Sequence, residues 1–144
     1  MDELVQQMKV VLASTFAFYL KAHNFHWNVE GPNFPQYHSF LGDVYNEVWG
    51  AVDGIAEHIR TLDAYAPGSL SRFSQLSVVD DQLNIPNAKA MLAELASDNE
   101  KLIGELQKSF RLADAAGKDG VSNFLQDRID AHTKHGWMLK ATGK

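Results

Sequence analysis

Hydrophobic side chains recur at intervals of three and four along the start of the chain, at Leu4, Met8, Val11, Leu12, Phe16, Tyr19 and Leu20, with Thr15 in phase. That period matches one face of an α-helix and predicts a helix over residues 3–28. Gly31-Pro32-Asn33 stops it, because Gly favours turn geometry and Pro lacks a backbone donor. Pro35 suits the opening turn of a second helix over residues 35–65. Its apolar positions are Phe40, Leu41, Val44, Val48, Val52, Ile55, Ile59 and Leu62, with Trp49 widening the stripe. Pro67-Gly68-Ser69 closes that helix, and residues 69–85 read as a crossover with a short helix at Leu70–Leu76. Ser77 or Asp80 caps local structure there. A third long helix is expected from Asn87 to Ala115, capped by Asn84 or Asn87, with Met91, Leu92, Leu95, Leu102, Leu106 and Phe110 on its buried side. After the turn Gly117-Lys118-Asp119-Gly120, a fourth covers Val121–Ala141, with Phe124, Leu125, Ile129, Trp137 and Leu139 as packing residues. Short links join helices one to two and three to four, and a long one joins the halves. The expected fold is therefore all-α, a ferritin-like four-helix bundle with a long crossover containing a short helix, spanning residues 1–144 as one domain.

Composition narrows the function classes. The chain has no cysteine, which removes disulfides, thiolate ligands and cysteine nucleophiles and fits a reducing compartment. Its formal charge of −5, with no basic arm in the first eight residues, argues against nucleic acid as the main partner. No apolar run approaches the roughly 20 residues that span a bilayer, so no membrane role is expected.

Candidate chemistry concentrates near the first helix–helix junction. His23-Asn24-Phe25-His26-Trp27-Asn28-Val29 is followed by His38, then by Asp53 and Glu57. Imidazoles combined with carboxylates suit iron, manganese or zinc. Asp53 and Glu57 lie four residues apart, on one helical face, and repel each other unless solvated, paired or metal-bound. Pairing with Arg60 is one alternative. His38 and Glu57 are separated by about 28 Å along a straight helix, so one subunit cannot bring both onto one ion. Two antiparallel copies of the second helix, crossing near residues 47 and 48, set 38 opposite 57 and 42 opposite 53. His23 is expected to support the site rather than ligate. Trp27 either packs or stands beside the metal as an oxidisable ring. His58, His132 and His135 are expected at the surface or an interface. Phe16, Tyr19, Trp49 and Phe110 are expected in bundle packing.

The stretch Lys21–Phe34 with His38, the segment Val52–Arg60, the Pro67-Gly68-Ser69 crossover and His135-Gly136-Trp137-Met138-Leu139 together resemble the Dps family of mini-ferritins over nearly the whole chain. The resemblance implies a cytoplasmic homo-oligomer, a hollow dodecamer built from two-fold dimers. It implies oxidation of Fe(II) to Fe(III) by hydrogen peroxide at ferroxidase centres that can hold two irons, and ferric storage inside. Manganese or zinc can compete for such centres. By resemblance, His26 and His38 come from one subunit and Asp53 and Glu57 from its partner, with Trp27 intercepting oxidising equivalents. Asp119, Asp127 and Asp130 are candidates for an iron-entry pore, with Asn123 standing where an acidic residue is common. One position departs from the pattern: Gly42 replaces an Asp or Glu, and Asp43 or Glu47 is a possible substitute. Two alternatives follow, a structural shell with weakened metal sites and a DNA-binding protective protein. Direct DNA binding is not expected without a basic tail.

Overall fold

The computed structural model describes residues 2–144. Its helices are α1 (Asp2–Asn28), α2 (Phe34–Thr61), α3 (Leu70–Leu76), α4 (Ala88–Ala115) and α5 (Asp119–Thr142). The four long helices form the all-α, ferritin-like bundle, and α3 lies in the crossover. Among the described residues, no helix is long and apolar enough to cross a membrane.

Two hairpins, α1–α2 and α4–α5, pack together through α1 and α4. Side-chain bonds fix the directions. Gln7 reaches Glu105 while Lys21 reaches Glu94 and Asp98, so α1 and α4 are antiparallel. Glu47 meets Arg128 and His135, and Gly54 lies against Phe124, so α2 and α5 are antiparallel as well. Neighbouring helices therefore alternate in direction, and α4 starts at the opposite end of the bundle from where α2 stops. The crossover must climb the bundle's length. Phe73 on Phe16, and the Val78 N–H donating to Ser14 Oγ, hold it against α1.

The predicted boundaries hold within a few residues, with one clear miss. α2 ends at Thr61 rather than 65, because Asp63 takes a left-handed φ of 64° and the Leu62 and Asp63 N–H groups turn back to Ile59 and Arg60. Asn87, not Asn84, caps α4 by accepting from the Ala90 N–H. The Ser69 side chain caps α3 in the same way, and Ser77 ends it. Leu4, Met8, Val11, Leu12, Phe18, Ala22 and Phe25 form the buried stripe of α1, leaving Leu20 exposed.

The largest departure lies in α5. Its buried stripe is Val121, Leu125, Arg128, His132, His135 and Leu139, a run with the 3–4 period of a packed helix. The expected packing residue Trp137 falls off this stripe and is 65% exposed. Trp49, expected in bundle packing, is 52% exposed. His132 and His135, expected at a surface or interface, are buried, and His58 is half-buried with its ring stacked on Phe124. The buried polar groups of α5 bond to one another and to neighbouring helices, with Arg128 Nε left without a partner. Arg128 forms a two-pronged pair with Glu47 at 2.6 and 3.0 Å, and its Nη2 lies 3.2 Å from His132 Nε2. His132 Nδ1 donates to Asn99 Oδ1 while the Asn99 amide donates back to the His132 carbonyl, both at 2.8 Å. Gly136 makes room for this: a Cβ there would stand 2.9 Å from Asn99 Nδ2.

This seam makes stability pH-dependent. Burial holds the His132 imidazole well below its ordinary value, and the charges of Arg128 and His135 push the same way against Glu47. In the unfolded chain it titrates near ~6.5. Below that pH the unfolded state binds a proton that the folded state refuses. The stabilisation is therefore complete above ~6.5 and declines as pH falls, by at most about 1.4 kcal/mol per pH unit for one proton. The urea midpoint should fall between pH 7 and 5, and His132→Gln should flatten that slope. An unchanged slope in the variant would assign the effect elsewhere.

Candidate metal centre

The five-residue link from Val29 to Asn33 turns the chain sharply, using Gly31 at φ 120°, and the α1–α2 hairpin brings His26 and His38 face to face. Their rings stack with centroids 3.7 Å apart and planes 18° apart. His26 Nδ1 lies 2.6 Å from the His38 carbonyl oxygen, and His38 Nδ1 lies 2.7 Å from that of His26. A carbonyl only accepts, so both Nδ1 atoms carry the hydrogen. This reciprocal clamp fixes the tautomer of each ring and leaves each Nε2 lone pair free for a cation, the arrangement metal-binding histidines need.

His23 plays a different part. Tyr19 Oη lies 2.8 Å from its Nδ1, and the ring stacks on Tyr45 at 3.7 Å and near Trp27 at 4.0 Å. Burial lowers the His23 pKa, with the charge of His26 adding to it, and burial raises that of Tyr19, with Tyr45 adding. Both groups are thus neutral, and the hydrogen bond between them occupies His23 Nδ1. His23 supports the hairpin through Tyr19, Tyr45 and Trp27. Trp27 is not core packing: it is 58% exposed, beside His23.

Asp53 and Glu57 are both exposed on α2. Pairing with Arg60 does not occur, since Arg60 donates to the Ala64 carbonyl and lies over the Tyr65 ring. Because α2 is continuous from Phe34 to Thr61, both carboxylates stand at the far end from His38. Among the described residues, no three His, Asp or Glu side chains within one chain converge on a possible ion position. The structure gathers His26 and His38 and leaves Asp53 and Glu57 apart from them.

Gly42 is buried beneath the clamp. A Cβ there would lie 3.2 Å from His26 Cε1 and 3.3 Å from Nδ1. Neither suggested substitute carboxylate fills this place. Glu47 is held by Arg128 and, at 2.7 Å, by His135 Nε2. These partners overcome the opposing effect of burial and hold its carboxyl well below the usual range. Asp43 borders the groove between α2 and α5, with Lys134, His135 and Met138. The pore candidates Asp119, Asp127 and Asp130 are exposed along α5, with Asn123 exposed between them. Sequence reasoning missed the Glu47–Arg128–His135 cluster, although three polar residues in phase with Leu125 and Leu139 were a readable signal.

The ferritin-like domain family matches residues 5–143. The DNA protection during starvation protein of Brevibacillus brevis is 32% identical over 98% of each chain. Dps from Staphylococcus aureus superimposes with a TM-score of 0.95 at 29% identity, covering 100% of this chain and 97% of that one. A Dps protein from Vibrio cholerae O1, described as a member of a broad superfamily of ferritin-like diiron-carboxylate proteins, gives 0.94 at 25% identity, with coverage of 99% and 90%.

Proposed function

This chain belongs to the Dps branch of the ferritin-like family, and on that premise we propose that it oxidises Fe(II) with hydrogen peroxide and stores the ferric product. The oxidation sites are completed across a two-fold dimer interface, and the dimers assemble into a hollow dodecamer. The observation that carries this reading is the His26–His38 clamp, which spends two hydrogen bonds holding two imidazoles with Nε2 free. The continuous α2 helix supports a second subunit as the source of Asp53 and Glu57, because the antiparallel crossing near residues 47 and 48 is the arrangement that sets 38 against 57.

Fe(II) is the substrate. Imidazole nitrogen holds it, and the two carboxylates, hard donors, favour the higher charge of Fe(III) and so assist loss of an electron. Each peroxide accepts two electrons, one from each of two Fe(II) ions. Its O–O bond breaks and both oxygens leave as hydroxide or water. Trp27, exposed beside the clamp, is placed to yield an electron to a stray oxidant before it diffuses away. Ferric ions hydrolyse and deposit as mineral inside the shell.

The test is anaerobic Fe(II) loading of the purified assembly, then peroxide, with ferric absorbance followed in time. Oxidation faster than the protein-free control, with about two Fe(II) consumed per peroxide and the iron retained by the protein, is expected. A rate equal to the control on an intact assembly would overturn the proposal in favour of a structural shell.

A further inference from the structure

We infer that Arg128 closes a metal site inside the bundle: its guanidinium occupies the space among Glu47, His132 and His135 and so excludes divalent cations from three donors that would otherwise hold one. His132 and His135 are i,i+3 neighbours on the buried stripe of α5, and Glu47 meets that stripe from α2. Two imidazoles and one carboxylate are the donor set of a catalytic zinc site. His132 is already arranged as a ligand. Its Nδ1–H donates to Asn99 Oδ1 at 2.8 Å, which fixes the tautomer and leaves the Nε2 lone pair free. That lone pair faces a cation, Arg128 Nη2, at 3.2 Å. The same Nη2 stands 3.0 Å from Glu47 Oε1, and His135 Nε2 stands 2.7 Å from that oxygen. The three donors therefore gather about the Glu47–Arg128 pair.

The guanidinium also holds these donors too far apart for an ion. Bonds from zinc-like ions to nitrogen and oxygen are about 2.0–2.2 Å long, so Glu47 Oε1 and His132 Nε2 stand about 1 Å too far from the place of Nη2. With Arg128 there, no three His, Asp or Glu side chains among the described residues converge on an ion position. Arg keeps its charge at any ordinary pH and offers only donors, so it repels a metal ion and cannot ligate one. The groove between α2 and α5, bordered by Glu47 and His135, leads from solvent to this place. Removal of the guanidinium leaves the Glu47 carboxylate without its cation, beside the His132 lone pair. His135 now carries its hydrogen on Nε2, because Glu47 only accepts. With the hydrogen on Nδ1 instead, its Nε2 becomes the third donor. The exclusion is independent of whether the His26–His38 clamp binds iron.

Co(II) is the probe, because its visible absorption intensifies in a four-coordinate site. The His26→Ala/His38→Ala double variant, which lacks the clamp's imidazoles, should show no such absorption on anaerobic titration. Adding Arg128→Ala to it should produce the band, saturating at one Co(II) per chain. Co(II) should then also raise the urea midpoint, as any ligand of the folded state does. Both effects should disappear when His132→Ala is added, and Arg128→Lys, which keeps a cation in place, should show neither. Circular dichroism and assembly size, measured before metal is added, establish that each variant is folded. If Arg128→Ala does not fold, Arg128→Ser, whose hydroxyl keeps a hydrogen-bonding group beside Glu47 and leaves the space open, carries the same readout. A folded Arg128→Ala or Arg128→Ser variant with no band and an unmoved midpoint would overturn the inference. An equal band with Arg128 intact, lost on His132→Ala, would overturn it too, by showing that the guanidinium does not keep metal out.

Discussion

Co-assembled His26→Ala and Glu57→Ala subunits should recover about a quarter of wild-type peroxide-dependent iron oxidation, although each variant alone should fall to the protein-free rate. The quarter follows from the symmetry of an isologous dimer. In a mixed dimer, one centre takes its imidazoles from the His26→Ala subunit and its carboxylates from the Glu57→Ala subunit, so it loses both. The other takes intact imidazoles and intact carboxylates, so it is whole. Random pairing at equal amounts makes about half of the dimers mixed, each with one of two centres working. A site contained within one chain gives no recovery, because every subunit carries one lesion. Both residues are partly or wholly exposed, so neither substitution opens a cavity in the core. Assembly size measured in parallel separates lost chemistry from lost association. Recovery near zero with mixed dimers demonstrably present would rule out the divided centre.

The extents of the long helices, to within a few residues, and the buried faces of α2 and α4 were legible because they depend on local periodicity. The pairing of His26 with His38 was legible too, since a short link between two long helices leaves no freedom to separate residues so close to the turn. Their stacking and shared hydrogen bonds were not, because these depend on the depth at which the hairpin packs. The proposed division of donors between subunits rests on one elementary length: a continuous helix keeps residues 38 and 57 about 28 Å apart. The buried seam was harder. Arg128, His132 and His135 occupy the phase of Leu125 and Leu139, yet side chains of that type are normally exposed unless partnered. Their partners, Glu47 and Asn99, lie on other helices and far away in sequence. Only the assembled bundle supplies them.

Glu47→Ala should be the more damaging way to break that seam, costing about 3 kcal/mol, at the lower end of what removing one partner of a buried ion pair costs. The two partners are not equally placed. The Arg128 side chain is 8% exposed and that of Glu47 is 41% exposed. Without Glu47, the guanidinium remains enclosed with His132 as its remaining protein partner, and its Nε already has none. Without Arg128, Glu47 can turn to water and keep His135. Solvent at Glu47 screens the pair, which is why the lower end applies. Glu47→Gln, which keeps an acceptor for Arg128, should cost less than Glu47→Ala. A Glu47→Leu/Arg128→Met double variant, replacing both charges by apolar groups, should recover most of the loss. Urea unfolding at fixed protein concentration, at pH 7 where Glu47 is ionised, measures all three. A Glu47→Ala cost below about 1 kcal/mol would show the pair to behave as a surface ion pair.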